Sequence, residues 1–281
     1  MRPIPTAFHI GPLEFHTYGL GLAIAFYVAW RYLVARVRAR EIHTDHLVEL
    51  GIWVVVSALL GARLLHVLTN WSTYSAHPLK VFEVWQGGLA SFGGLLLAVP
   101  IALWVKHRRY PEIGVLEGLD IAVPALALGW AIGRLLGPQL MVAGGGHPTT
   151  SWIGMYYAGQ IGKRIPVPII QALEDGALFV LLILVERRLQ RASASRPAGP
   201  RPPTGALTAI AMVIWGIARS LDERLWLGED GHLGSLLVQA AGVALAVGGL
   251  VIGIVAYRNW RSYLGESPHP AVPGPTQLAE P

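Results

Sequence analysis

Three arginines stand inside stretches that are otherwise apolar: Arg63 in GARLL, Arg134 in GWAIGRLLG and Arg219 in WGIARSLDE. A guanidinium in hydrocarbon is costly to leave alone, so an arginine in such a place is expected to meet a partner and to be functional. The chemistry that suits it is anion binding. Its planar fork makes paired contacts to phosphate oxygens, which fits the headgroup of an anionic lipid. Carboxylates accompany the arginines: Glu174 and Asp175 in QALED, and Glu223 in SLDER. Glu174 and Glu223 either orient the guanidinium groups or neutralise them. For each arginine taken singly the competing reading is a side chain that snorkels to the headgroups and does nothing more.

The rest of the chain says where these residues work. Of its 281 residues 53% are hydrophobic and only 14% are charged, a balance that points to a polytopic membrane protein. With a cysteine count of 0 there is no disulfide framework, no thiolate metal site and no cysteine nucleophile, so any thiol chemistry uses a thiol brought by a substrate. His43 and His46 in HTDH lack further ligands at a metal-binding spacing, and GGGHPTT from Gly144 lacks the lysine of a nucleotide P-loop. No metal and no cofactor are expected. The net charge of +5 raises nucleic acid as a partner, but the positions of the basic residues give a different answer.

Apolar runs near the ~20 residues needed to span a bilayer occur at about 18–35, 48–68, 87–105, 119–141, 166–185, 205–220 and 233–256. They predict an all-α polytopic membrane protein of about seven transmembrane helices. Alternate connections are rich in arginine and lysine: Arg31, Arg36, Arg38 and Arg40 after the first run, Lys106, Arg108 and Arg109 after the third, Arg187, Arg188, Arg191, Arg196 and Arg201 after the fifth, and Arg258 and Arg261 after the last. By the positive-inside rule these are cytoplasmic, which puts the amino terminus outside and the carboxyl terminus in the cytoplasm. The basic residues therefore record topology, and no nucleic acid partner is expected. A cleaved signal peptide is not expected either, because the basic cluster follows the first apolar run.

This orientation sets Arg63, Arg134 and Arg219 near the outer ends of their runs. Tyr18, the GGLASFGG stretch from Gly87 to Gly94, Gln171, Glu174 and Asp175 fall at the same level on the other runs. Gly129, Gly133 and Gly137 recur every four residues, the pattern of close helix packing that would hold Arg134 in place. GGGHPTT is expected to be a mobile outer loop. Trp71, Tyr74, Trp85, Trp152, Tyr156 and Tyr157 suit an interfacial aromatic belt. A single transmembrane domain is expected over 1–265, with a Pro- and Arg-rich cytoplasmic linker at about 186–204 and a disordered C-terminal tail at 266–281.

In these motifs the chain resembles the prolipoprotein diacylglyceryl transferase family, over most of its length from about Ile10 to Val255. IGPLEFHTYGLGLAIAF, with Tyr18 and Gly19, is similar to the family's opening. GARLL, WQGGLASFGGLL from Trp85, GRLLG at Gly133, AGGGHPTTSWIGMYY from Ala143, QALE at Gln171 and WGIARSLDE from Trp215 follow in the family's order. Departures stand at Phe92, where the family has a histidine, at Gly137, where it has an asparagine, and at Trp215, where it has a tyrosine.

The resemblance implies a bacterial inner-membrane transferase whose site faces the outer leaflet. It would move diacylglyceryl from phosphatidylglycerol to the lipobox cysteine thiol in the signal peptide of a preprolipoprotein, releasing glycerol phosphate. Arg134 and Arg219 are the residues expected to stabilise charge on the departing phosphate. Tyr18, Arg63, Gln171, Glu174 and Glu223 are expected to bind substrate, and His16 and His147 are candidate proton acceptors on the outer side. The thiol ionises near pH 8.5, and neighbouring guanidinium groups raise its thiolate fraction. The changes at Phe92 and Gly137 also admit a non-catalytic homologue that binds anionic lipid or a signal peptide. A transporter would instead show paired half-repeats broken near the midplane.

Overall fold

The computed structural model describes residues 6–10, 13–76, 78–82, 91–137, 144–194, 203–226 and 231–265. Each of the seven expected runs coincides with a helix. These are α1 (Thr17–Arg38), α2 (Leu47–Thr69), α4 (Ser91–Arg109), α5 (Val115–Leu136), α6 (Val167–Ala194), α7 (Ala206–Asp222) and α8 (Gly231–Gly265), with a short α3 (Trp71–Ala76) after α2. Five of them, α1, α2, α5, α6 and α8, are long and apolar enough to cross a membrane by length and composition. α4 and α7 have 19 and 17 residues, at the short end of what a bilayer requires, and α4 carries four basic groups in its last turn. Gly87 to Ala90 and the tail beyond Gly265 lie outside the described residues, as do Trp85 and the core of the linker.

Two features depart from the expected helix-and-linker pattern. Ala7–Ile10 (β1) and Leu13–His16 (β2) form an antiparallel pair in the register Ala7 to His16 and Phe8 to Phe15, a short ribbon before the first helix of an all-α fold. Thr17 closes this ribbon, donating from both its amide and its hydroxyl to the Thr6 carbonyl. α6 continues to Ala194, so the stretch from Glu186 to Ala194, expected as linker, is helical. Glu, Arg, Leu, Gln and Ala are good helix formers, and arginines near a helix C-terminus complement its dipole; the prolines come only afterwards.

The described residues group into two compact units, 1–29 with 122–281, and 30–121. In the second unit Val37, Leu47, Tyr110 and Ile121 make the core, with Trp30, Leu33 and Ile113 packed on it. α2 lies along α4, and Arg109 is paired with Glu49 at 2.7 Å. Arg36 is only 7% exposed. Its Nε donates to the Ile121 carbonyl at 2.8 Å and its Nη2 to the Asp120 carbonyl at 3.1 Å. These carbonyls precede Pro124, which has no amide hydrogen and so cannot complete the helical bond to Asp120. An arginine that appeared only to mark topology thus also satisfies a proline-interrupted helix. Arg36→Leu is expected to lower stability by about 1–3 kcal/mol, because two buried carbonyls lose a charged donor. A reduced thermal midpoint in detergent would register this, and an unchanged one would contradict it.

In the first unit, Ala127, Leu178, Leu182, Leu207 and Ala211 form a core joining α5, α6 and α7, with Trp215 packed against it. α7 lies along α8 and against α6. The loop from Gly144 to Pro166 is stitched by backbone bonds, among them His147 N to Leu225 O at 3.1 Å and Met155 N to Arg164 O at 2.9 Å. The glycines expected to make this loop mobile instead let it close. Gly144, Gly145 and Gly146 are buried, and a Cβ on Gly146 would collide with the Leu225 backbone and with Val167. Tyr157 is buried rather than interfacial, whereas Trp152 is 90% exposed.

Candidate functional site

α5 and α7 each present a tryptophan one helical turn before an arginine: Trp130 and Arg134, Trp215 and Arg219. Residues four apart share a helix face, so each pair points the same way. The two indoles meet edge to face, with ring centres 5.4 Å apart and planes at 79°. Helix α6 closes the third side. Together they leave one cleft, lined by Trp130 and Arg134 from α5, by Gln171, Glu174 and Asp175 from α6, and by Trp215, Ala218, Arg219 and Asp222 from α7.

Positioning is by small residues and buried polar contacts. A Cβ on Gly129 would lie 2.8 Å from the Ala29 Cβ, so the glycine stripe on α5 is where α1 approaches. The Tyr18 ring packs beside Gly137, 3.2 Å from where a Cβ would stand, which leaves no room there for a side chain such as asparagine. Tyr18 is also close enough to Arg134 to interact with it electrostatically, as are Arg219, Asp175 and Asp222.

Arg219 Nη2 pairs with Glu223 at 2.9 Å, one turn along α7. Its Nη1 is buried and has no hydrogen-bond partner among the described residues. Gln171, 4% exposed, donates from Nε2 to Asp222 Oδ2 at 2.9 Å, while its Oε1 is likewise buried without a partner. The Glu174 carboxyl lies within hydrogen-bonding reach of Asp222. The cleft therefore combines two guanidinium groups, three carboxyl groups, one open donor and one open acceptor. Buried polar atoms are nearly always satisfied, so these two open positions are suited to a ligand that supplies both an acceptor and a donor. No three His, Asp or Glu side chains among the described residues converge as a metal-ligand set.

Of the residues singled out in the sequence, Arg134, Arg219, Gln171 and Glu174 line this cleft. Glu223 holds Arg219, and Tyr18 lies near enough to Arg134 to interact with it electrostatically. The others lie elsewhere. Arg63 belongs to the second unit, where its Nε donates to Val81 O at 2.9 Å, its Nη2 to Lys80 O at 2.5 Å, and its guanidinium stacks on Tyr74 at 5.3 Å. Those contacts tie α2 to the turn at Pro78–Phe82. His147 is exposed in the loop after α5 and does not line the cleft. His16 ends β2, and Phe92 stands in the first turn of α4 in the second unit. Sequence reasoning passed over Asp222 and Trp130. Their signal was spacing: Asp222 is three residues after Arg219 and Trp130 four before Arg134.

Residues 5–258 match the family described as prolipoprotein diacylglyceryl transferase. A phosphatidylglycerol-prolipoprotein diacylglyceryl transferase of Pseudomonas paraeruginosa is 31% identical over 267 residues, covering 91% of this chain and 94% of the relative. Proteins of the same name from Nostoc sp. and Janthinobacterium sp. are each 30% identical, over 263 and 274 residues, covering 88% and 92% of this chain and 88% and 97% of the relatives. With the match spanning nearly its full length, the chain belongs to the prolipoprotein diacylglyceryl transferase family.

Proposed function

We propose that this chain binds phosphatidylglycerol through Arg134 and Arg219 and transfers its diacylglyceryl group to the lipobox cysteine thiol of a preprolipoprotein, releasing glycerol phosphate. The observation that carries this reading is the pair of open buried atoms in one cleft, Arg219 Nη1 and Gln171 Oε1. A phosphoglycerol headgroup offers phosphate oxygens to the first and a hydroxyl to the second. The charged lining of the cleft suits a headgroup and leaves the acyl chains outside. Leu135, Leu173, Ile217 and Leu221, on the three helices that form the cleft, are 50%, 69%, 51% and 56% exposed and provide an apolar surface for those chains.

In the reaction, the thiol sulfur attacks the glycerol carbon that bears the phosphate, and the carbon–oxygen bond breaks with its electrons moving onto the phosphate. Guanidinium groups already fixed in a water-poor cleft stabilise that developing charge without having to reorganise. The distribution of basic residues supports a cleft at the outer leaflet, and the bacterial relatives support a bacterial cytoplasmic membrane as its setting.

The test is transfer from labelled phosphatidylglycerol to a cysteine-containing lipobox peptide by the purified protein. Label appearing on the peptide is the expected result. Lipid binding without transfer would replace the enzyme by a headgroup-binding homologue, and the absence of both would remove the reading altogether.

A further inference from the structure

The arginines account for the leaving group but not for the thiol proton. α7 carries two neighbouring carboxylates with different partners. Glu223 is committed to Arg219 at 2.9 Å. Asp222, only 5% exposed, makes no salt bridge among the described residues; it accepts from Gln171 Nε2 at 2.9 Å and faces the Glu174 carboxyl within hydrogen-bonding reach. A buried carboxylate that lacks an ion pair is costly to keep, so its position beside a second carboxyl group calls for a role. Both line the cleft that holds Arg134 and Arg219. Glu174 lies on its exposed side, where a substrate enters.

We propose that Asp222, coupled to Glu174 and oriented by Gln171, is the catalytic base that removes the proton from the acceptor thiol. This rests on the transferase reading above. The proton leaves sulfur for the Asp222 carboxylate as the sulfur–carbon bond forms. The carbon–oxygen bond to phosphate breaks, and the proton then passes by way of Glu174 to the departing phosphate or to water, restoring the carboxylate. The charged and titratable groups that face Asp222 from the described elements are Arg134 on α5, Glu174 and Asp175 on α6, and Arg219 and Glu223 on its own helix. The two arginines keep the base near the phosphate that finally receives its proton.

Asp222→Asn separates this role from a structural one. The asparagine carbonyl can still accept from Gln171 Nε2, so the α6–α7 contact survives, but the side chain can no longer take a proton. The experiment compares wild type, Asp222→Asn and Asp222→Glu on two lipobox peptides, one with cysteine and one with selenocysteine, whose selenol is ionised at neutral pH and needs no base. Asp222→Asn is expected to lose about 10²-fold in kcat on the cysteine peptide and to stay within about threefold of wild type on the selenocysteine peptide. Its cysteine rate should climb with pH up to the thiol's own ionisation near 8.5, and Asp222→Glu should recover part of the activity.

Equal defects of Asp222→Asn on both peptides would make the residue structural and overturn the proposal. So would wild-type activity on cysteine. Failure of the wild type on both peptides is a separate result, which removes the transferase reading and this inference with it.

Discussion

Replacing Arg219 with lysine is expected to lower transfer by about 10²–10³-fold even though the charge is kept, the cost of removing one preorganised donor from a developing anion. The reason is the division of labour within one side chain. Nη2 is held by Glu223 at 2.9 Å, and the buried Nη1, which has no hydrogen-bond partner among the described residues, is the donor proposed to meet the phosphate. A lysine ammonium is one point charge on a flexible stem, and it cannot form a carboxylate pair and a planar contact to phosphate in the same fixed geometry. The loss should fall mainly in kcat, because the charge on the phosphate grows toward the transition state. Arg134→Lys should move activity in the same direction. Full activity of Arg219→Lys in the labelled transfer assay would mean that the open Nη1 is not where the phosphate binds.

Gly216→Val is expected to lower both stability and transfer. Gly216 sits where α7 crosses α8, and a Cβ there would lie 2.7 Å from the Ala246 backbone nitrogen and collide with the Gly242 carbonyl. Both obstacles are backbone, so no side-chain rotation relieves them and the helices must part. Overpacking of this kind costs about 1–3 kcal/mol. It is also aimed at the site, because Trp215 precedes Gly216 and Arg219 follows within one turn, so a displaced α7 carries both out of the cleft. Gly176 provides the contrast. A Cβ there meets nothing within 4 Å, so Gly176→Ala should be neutral or stabilising by up to about 1 kcal/mol through better helix propensity. Thermal midpoints in detergent, measured beside the transfer assay, distinguish the two. A Gly216→Val protein as stable as Gly176→Ala would show that the α7–α8 crossing adjusts easily.

The positions of the seven helices, and the placing of Arg134 and Arg219 as charges within apolar runs, were legible in the sequence. Hydropathy and the cost of burying a charge are local properties, readable without a fold. The close-packing role of the stripe from Gly129 to Gly137 was legible for the same reason, since helical periodicity alone puts these residues on one face. The β1–β2 ribbon was not, because four-residue strands next to a long apolar helix leave little pattern to detect.

What only the tertiary structure decided was the pairing. Arg36, Arg63 and Arg219 are the same residue type, each on a helix. Yet Arg36 binds the Asp120 carbonyl left open by Pro124 and the adjoining Ile121 carbonyl, Arg63 binds the turn after α3, and Arg219 keeps a donor open in a cleft. Likewise Asp222 and Glu223 are adjacent in the chain, but one faces Gln171 and the other holds Arg219. Each partner is set by how a helix is rotated against its neighbours and by which backbone atoms those neighbours leave unsatisfied. These are relations between distant segments, and no local stretch of sequence contains them.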